Sequence, residues 1–258
     1  MKRGKRAQVS VFIILAIAIV ALAILIYLFY PSIEMSLGIG AKNPSEFIQT
    51  CLEDKIKDTI TEISLQGGSL KPEHYFLYNG SNIEYLCYVE SYYLPCVVQQ
   101  PMLKQHIESE ILKGIEEQSK ECLASLESKY KKAGYSASIS EGNTSVELLP
   151  KRIAVTFNNK IILAKENTET YDKISIIINN NLYERIGIAN SIIEWETRLG
   201  EAETTLYMNY YHDLKVEKKK QSDGTKIYII TDRNTGDIFQ LASRSVVWPS
   251  GYGMEGTY

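Results

Sequence analysis

The spacing of hydrophobic positions changes character several times along this chain. From Val9 to Tyr30 the run VSVFIILAIAIVALAILIYLFY has no charge and no polar face. Apolar on every side and 22 residues long, it predicts a transmembrane helix over residues 8–30, since such a helix spans roughly 33 Å against a hydrocarbon core of about 30 Å. Residues 31–43, with Pro31, Gly38 and Gly40, read as a linker. Helical spacing then returns in Phe47, Ile48, Cys51, Leu52, Ile56, Ile60 and Ile63. Asn43 is the expected N-cap, Pro44 the first helical residue and Glu46 the third position of a capping box, and Gly67-Gly68 is the expected stop.

Between His74 and Gln99 the pattern becomes strand-like. Tyr75–Tyr78 and Ile83–Val89 flank an Asn79-Gly80 turn, and a third run covers Tyr92–Val98. A second long helix is expected from Pro101, with Leu103, Ile107, Ile111, Ile115, Cys122, Leu126 and Tyr130 on one face and Gly134 as its stop. Short strands follow at Tyr135–Ser140, Ser145–Leu149, Arg152–Phe157, Lys160–Ala164 and Lys173–Ile178. Asn158-Asn159 is the expected tight hairpin turn between the third and fourth of these. A helix is predicted over Leu182–Leu199, with Ile186, Ala189, Ile192, Ile193 and Trp195 as its apolar positions, and Glu201–His212 can continue it helically. Leu214–Lys219, Lys226–Thr231 and Asp237–Val247 form a final meander, and residues 248–258 an irregular tail.

Together these elements predict an α+β fold. Behind the transmembrane helix stand a two-helix module with a small β-hairpin (44–134) and a mainly antiparallel β module with one packed helix (135–247).

Charge orients the anchor. Residues 1–7 carry Lys2, Arg3, Lys5 and Arg6 and no acid, which leaves 24 bases against 31 acids in the remainder. A basic leader stays in the cytoplasm, so the C-terminal body is expected outside the cell, with membrane lipid as a partner. Tyr27 and Tyr30 sit where an interfacial aromatic belt belongs, and Pro31 ends the run. A mildly acidic ectodomain lacks the clustered positive charge that nucleic acid requires.

The four cysteines, Cys51, Cys87, Cys96 and Cys122, form no C-x-x-C pair. In an exported chain an even count favours disulfides over a thiol-redox or zinc role. Cys51 and Cys122 lie on the apolar faces of the two long helices, and Cys87 and Cys96 in neighbouring strands, so these are the expected pairs. Four reduced core cysteines are the alternative. Asn79-Gly80-Ser81 and Asn143-Thr144-Ser145 are N-glycosylation sequons in predicted turns.

The first thirty residues resemble the class III signal peptides of archaeal type IV pilin-like proteins, on the segment KRGKRAQVSVFIILAIAIV. The resemblance implies cleavage between Ala7 and Gln8 by a prepilin-type peptidase, with Gln8 and Ser10 matching the pattern. It also implies like subunits or other surface proteins as partners. Such pilins carry Glu five residues into the mature chain, where this sequence has Phe12. Beyond the anchor the layout resembles uncharacterised membrane-anchored archaeal proteins, in which a helix carrying Cys-Leu and ending Leu-Gln-Gly-Gly follows the span; here these are Cys51-Leu52 and Leu65–Gly68.

Dispersed histidines (His74, His106, His212) have no metal-ligand spacing, and no nucleophile elbow, P-loop or dinucleotide fingerprint is present. His212-Asp213 reads as a polar helix end, Asp232 and Asp237 as turn residues, and Tyr92-Tyr93 and Tyr210-Tyr211 as packing aromatics. No catalytic residue, cofactor or metal ligand is assigned. The expected function is that of a single-pass, membrane-anchored structural or adhesive surface protein. A monomeric anchored binding ectodomain is the alternative, and a surface enzyme ranks last.

Overall fold

A computed structural model describes residues 15–21, 24 and 43–247 of the protein. The processing positions Ala7, Gln8 and Ser10, the leader, the tail and most of the expected span lie outside these residues. Among the described residues no helix is long and apolar enough to cross a membrane.

Helix α1 (Pro44–Leu65) begins as its sequence signals predict. The Asn43 side chain accepts a hydrogen bond from Ser45 N at 3.0 Å, Pro44 occupies the first turn, and Gly68 N closes the far end on Ile63 O at 2.8 Å. Ile48, Leu52, Ile56, Ile60 and Ile63 are its buried stripe. Helix α2 (Leu103–Lys132) buries Leu103, Ile107, Ile111, Ile115, Cys122, Leu126 and Tyr130. It starts two residues later than expected, because Pro101 and Met102 form a turn. The two helices pack together where α2 presents Gly114. A β-carbon there would lie 2.5 Å from Thr59 Cγ2, so the close approach needs glycine.

Strands β1 (Tyr75–Tyr78) and β2 (Ser81–Tyr88) form the expected hairpin. Asn79 and Gly80 both have positive φ (49° and 83°), the requirement of the two-residue turn whose twist matches its strands. The expected strand over Tyr92–Val98 shrinks to β3 (Val97–Val98) and a single bridge between Leu94 and Val246. Tyr93 at φ 67° and the proline at 95 break the extended run.

In the second half lie β4 (Ser136–Ile139), β5 (Thr144–Leu149), β6 (Arg152–Phe157), β7 (Ile161–Ala164), β8 (Thr168–Tyr171) and β9 (Ile174–Asn179). They make two three-stranded sheets, ordered β4-β7-β8 and β5-β6-β9. This corrects the expected hairpin at Asn158-Asn159: β6 and β7 belong to different sheets, and the pair bridges them. Neither asparagine has the positive φ a two-residue turn demands. Instead, Asn158 Nδ2 donates to Asn143 O at 3.0 Å and Asn159 Nδ2 to Ser140 O at 3.0 Å.

Helices α3 (Leu182–Leu199) and α4 (Thr204–Tyr210) precede β10 (Leu214–Lys220), β11 (Thr225–Asp232) and β12 (Ile238–Arg244). The largest sheet runs β1-β2-β12-β11-β10, with β3 also on β2. Its one parallel pairing, β2 with β12, joins strands from either side of residue 134. The stretches 44–134 and 135–247 therefore share a sheet, and one hydrophobic cluster runs from Ile48 to Leu241. The result is an α+β fold in which α1 packs on α2 and lies against β9 and β12, while α3 lies against β12.

The Gly114 contact is testable. Gly114→Ala gains about 1 kcal/mol of helix propensity but overpacks Thr59, so a net loss of about 1–2 kcal/mol is expected in urea denaturation. Adding Thr59→Ala should recover that loss, and a Gly114→Ala chain at least as stable as the native one would contradict the packing.

Candidate functional site

The buried face of α3 carries two charges among its aliphatic residues: Leu182, Arg185, Ile186, Ala189, Ile192, Ile193 and Glu196. The expected apolar residue Trp195 is 43% exposed, whereas Glu196 beside it is fully buried. Heptad spacing from Ala189 puts residue 196, not 195, on the stripe. The helix thus turns a carboxylate into the core against β11 and β12.

That carboxylate is fully engaged. Lys226 Nζ donates to Glu196 Oε2 at 2.7 Å, Ser243 Oγ to the same oxygen at 3.0 Å, and the Tyr228 hydroxyl to Oε1. The Lys226 ammonium spends its other protons on Gly200 O and on Ser245 O, the latter at 2.9 Å. Gly200 is the left-handed cap of α3 (φ 70°), and a β-carbon there would meet Val247 Cγ2 at 2.3 Å. Ser245 Oγ donates to Glu196 O at 3.0 Å and accepts from Cys96 N at 3.0 Å. Burial, then the adjoining Glu196 carboxylate, pushes the Tyr228 hydroxyl far above its ordinary pKa. With every donor and acceptor satisfied, this network is a structural device that leaves no group for a substrate.

A second polar cluster joins the loop after α1 to β2 and α2. Ser69 Oγ donates to Glu84 Oε2 and lies 2.7 Å from His106 Nε2. The residue types match a nucleophile, a base and an acid, but the order does not. The carboxylate binds the serine rather than the far side of the imidazole and takes the hydroxyl proton, while the direction of the Ser69–His106 contact depends on the imidazole tautomer. A triad needs the imidazole to accept that proton. Ser69 is also only 5% exposed. Beneath it, Glu110 Oε2 accepts from Leu70 N at 2.9 Å. Desolvation raises the Glu84 pKa above its ordinary 4.5, against the smaller downward pull of Ser69, His106 and Gln100; Glu110 adds to the rise.

The cysteines come together as two disulfides, Cys51–Cys122 with Cα atoms 6.1 Å apart and Cys87–Cys96 at 5.4 Å. In the chain-entropy picture the first, closing 71 residues, is worth about 4 kcal/mol, and the second, closing 9, about 2.5 kcal/mol. Asn79 is exposed in a turn and Asn143 is exposed in the loop before β5. His74 packs on Tyr85 and Tyr88, with ring centroids 4.7 and 4.2 Å away, and His212 is exposed elsewhere, so the histidines hold separate places. Asp232 caps its turn, accepting from Asn234 N at 2.8 Å and from Asn181 Nδ2 at 2.6 Å. Tyr92, Tyr93, Tyr210 and Tyr211 are exposed rather than packed inside, with Arg244 stacked over Tyr92 at 5.2 Å. Among the described residues no cluster of His, Cys, Asp or Glu could hold a metal ion. Comparison with known proteins returns no matching family model, curated protein or solved structure.

Two measurements probe these clusters. Lys226→Met strands the buried Glu196 carboxylate and should cost about 3–5 kcal/mol in urea denaturation. Adding Glu196→Gln should restore a large part of that loss, and strictly additive effects would contradict the coupling. Glu84 gives a pH signature. Its folded pKa lies above the unfolded one, so its contribution is complete below about pH 4.5 and is lost as pH rises through the folded value. Relative to the native chain, Glu84→Gln should therefore gain stability between about pH 4.5 and 6, below the ordinary imidazole range; a flat difference would refute it.

Proposed function

We propose that this chain is a single-pass membrane-anchored protein whose ectodomain is a braced structural or adhesive module on the cell surface. Its pilin-like leader is removed between Ala7 and Gln8. The observation that carries this reading is the pairing of the four cysteines into disulfides, with no free thiol among the described residues. Cysteines of cytosolic proteins are kept reduced, so such pairing supports export. The basic leader and the uncharged run Val9–Tyr30 supply the means of export and retention. Exposed tyrosines at 92, 93, 210 and 211 suit contact with other surface proteins, since tyrosine combines a large apolar ring with a polar tip.

Phe12 bears on how the module is used. The acid that pilin-like subunits carry at this place is replaced by an apolar ring, which favours an individually anchored ectodomain over a filament subunit.

Mass spectrometry of the native protein should find Gln8 at the N-terminus and a mass with both disulfides closed. An intact Met1, a cut near Gly40, or reduced cysteines in the purified membrane fraction would refute the processing or the export. Phe12→Glu should leave a membrane-bound, unassembled protein unchanged; filaments of the native chain would decide for polymerisation.

A further inference from the structure

One cleft, of about 620 Å³, opens between α1, the end of β9, the start of α3 and the β11–β12 turn. Two of its lining side chains are buried with unmet hydrogen-bonding capacity. Arg185 is 2% exposed, and only its Nη2 is well placed, donating to Asn180 Oδ1 at 3.0 Å. Among the described residues its Nε and Nη1 have no hydrogen-bond acceptor, although Nη1 lies 3.3 Å from Asp237 Oδ2 as an ion pair. Ser64 is 3% exposed and its hydroxyl has no partner among the described residues either. A helical serine can return its proton to the carbonyl four residues back. Thr61, one turn earlier on the same helix, does this at 2.9 Å, and Ser64 does not.

Leaving such groups unmet costs about 1–3 kcal/mol each, more for a charged one. Both belong to one cavity, and both have protons to donate to an acceptor. We propose that this cleft is a binding site for a small monocarboxylate with an apolar body, its carboxylate held by Arg185 and Ser64.

Charge and wall chemistry select that class. Among the described residues the cleft is lined by two cations, Lys57 and Arg185, and one acid, Asp237, which lies beside Arg185. Lys57 is turned to Glu53 on its own helix at 2.5 Å, which leaves Arg185 as the cation for an incoming anion. Once Asp237 turns away, one carboxylate balances the Arg185 charge, whereas a phosphate, at about −1.5 to −2, would leave uncompensated charge against apolar walls. Those walls are Ile60, Leu65, Ile178 and Ile238, which match a branched hydrocarbon body. Asp237 is 41% exposed on its side chain, so it can turn out to water as the ligand carboxylate takes its place.

The test is calorimetric titration of the full chain in detergent with isobutyrate, acetate and inorganic phosphate. Isobutyrate should bind saturably, about tenfold or more tighter than acetate for its extra buried carbons, and phosphate should not bind. Asp237→Asn removes the competing acid and should tighten isobutyrate about fivefold. Ser64→Ala removes a buried hydroxyl that has no partner, so the ligand-free chain should keep its stability while isobutyrate affinity falls about fivefold. Absence of saturable binding to the folded native chain would overturn the proposal. So would phosphate binding as tightly as isobutyrate, or isobutyrate affinity unaltered in both variants.

Discussion

The buried Glu196 carboxylate is the constraint around which the large sheet and its helix are arranged. A charge removed from water is tolerated only with a full set of partners. Glu196 obtains them from three places: Lys226 and Tyr228 on β11, and Ser243 on β12. Those partners set the rotation of α3 and the register of the strands beneath it. They also fix the chain beyond each. Lys226 holds Gly200 O at the end of α3 and Ser245 O beyond β12, and Ser245 in turn receives Cys96 N. A shift of α3 by one residue would replace Glu196 with Trp195 and leave an ammonium, a phenol and a hydroxyl facing an indole.

The disulfides reinforce the same frame from other directions. Cys51–Cys122 ties α1 to α2, and Cys87–Cys96 ties β2 to the segment that carries Cys96 into the Glu196 network. The parallel pairing of β2 with β12 then connects residues far apart in sequence, with Tyr85 opposite Ala242 and Cys87 opposite Ser243. At one edge of this sheet β10 carries Lys215, Lys218, Lys219 and Lys220, a charged border that discourages pairing with another chain. Two of these, Lys218 and Lys220, also hold Glu201. Burial pushes the Glu201 carboxyl up, but the two ammonium groups outweigh it and hold its pKa at about 2.

The local elements were legible wherever a local rule decided them. Asn43-Pro44 announces α1, Asn79-Gly80 announces the first hairpin, and the aliphatic spacing of α2 and α3 sets their lengths to within a turn. The Cys51–Cys122 pairing followed from the faces the two long helices bury, and Cys87–Cys96 from neighbouring strands. What stayed hidden depends on contacts between distant segments. Asn158-Asn159 resembles a hairpin turn, yet its side chains serve the carbonyls of Asn143 and Ser140 and send the chain into a second sheet. Strand β8, read TETY, shows no apolar alternation because it covers an edge. The parallel register of β2 with β12 leaves no trace in either strand alone. Ser69, Glu84 and His106 meet across three elements, and no spacing in the chain brings them together.

The charges in α3 are local anomalies that an apolar spacing read through Trp195 passes over. Arg185 and Glu196 interrupt an aliphatic stripe, and each has the sign that the helix dipole disfavours near its end, a cation near the N-terminus and an anion near the C-terminus. Neither position is explained by the helix itself, so each requires an outside partner. At the C-terminal end the sheet supplies a lysine, a phenol and a serine, and the site closes. At the N-terminal end, among the described residues, the guanidinium has a hydrogen bond to Asn180 and an ion pair with the half-exposed Asp237, and a cavity remains beside it. A buried charge with complete partners acts as a joint. One whose partners are incomplete, next to a cleft, keeps protons to donate into it.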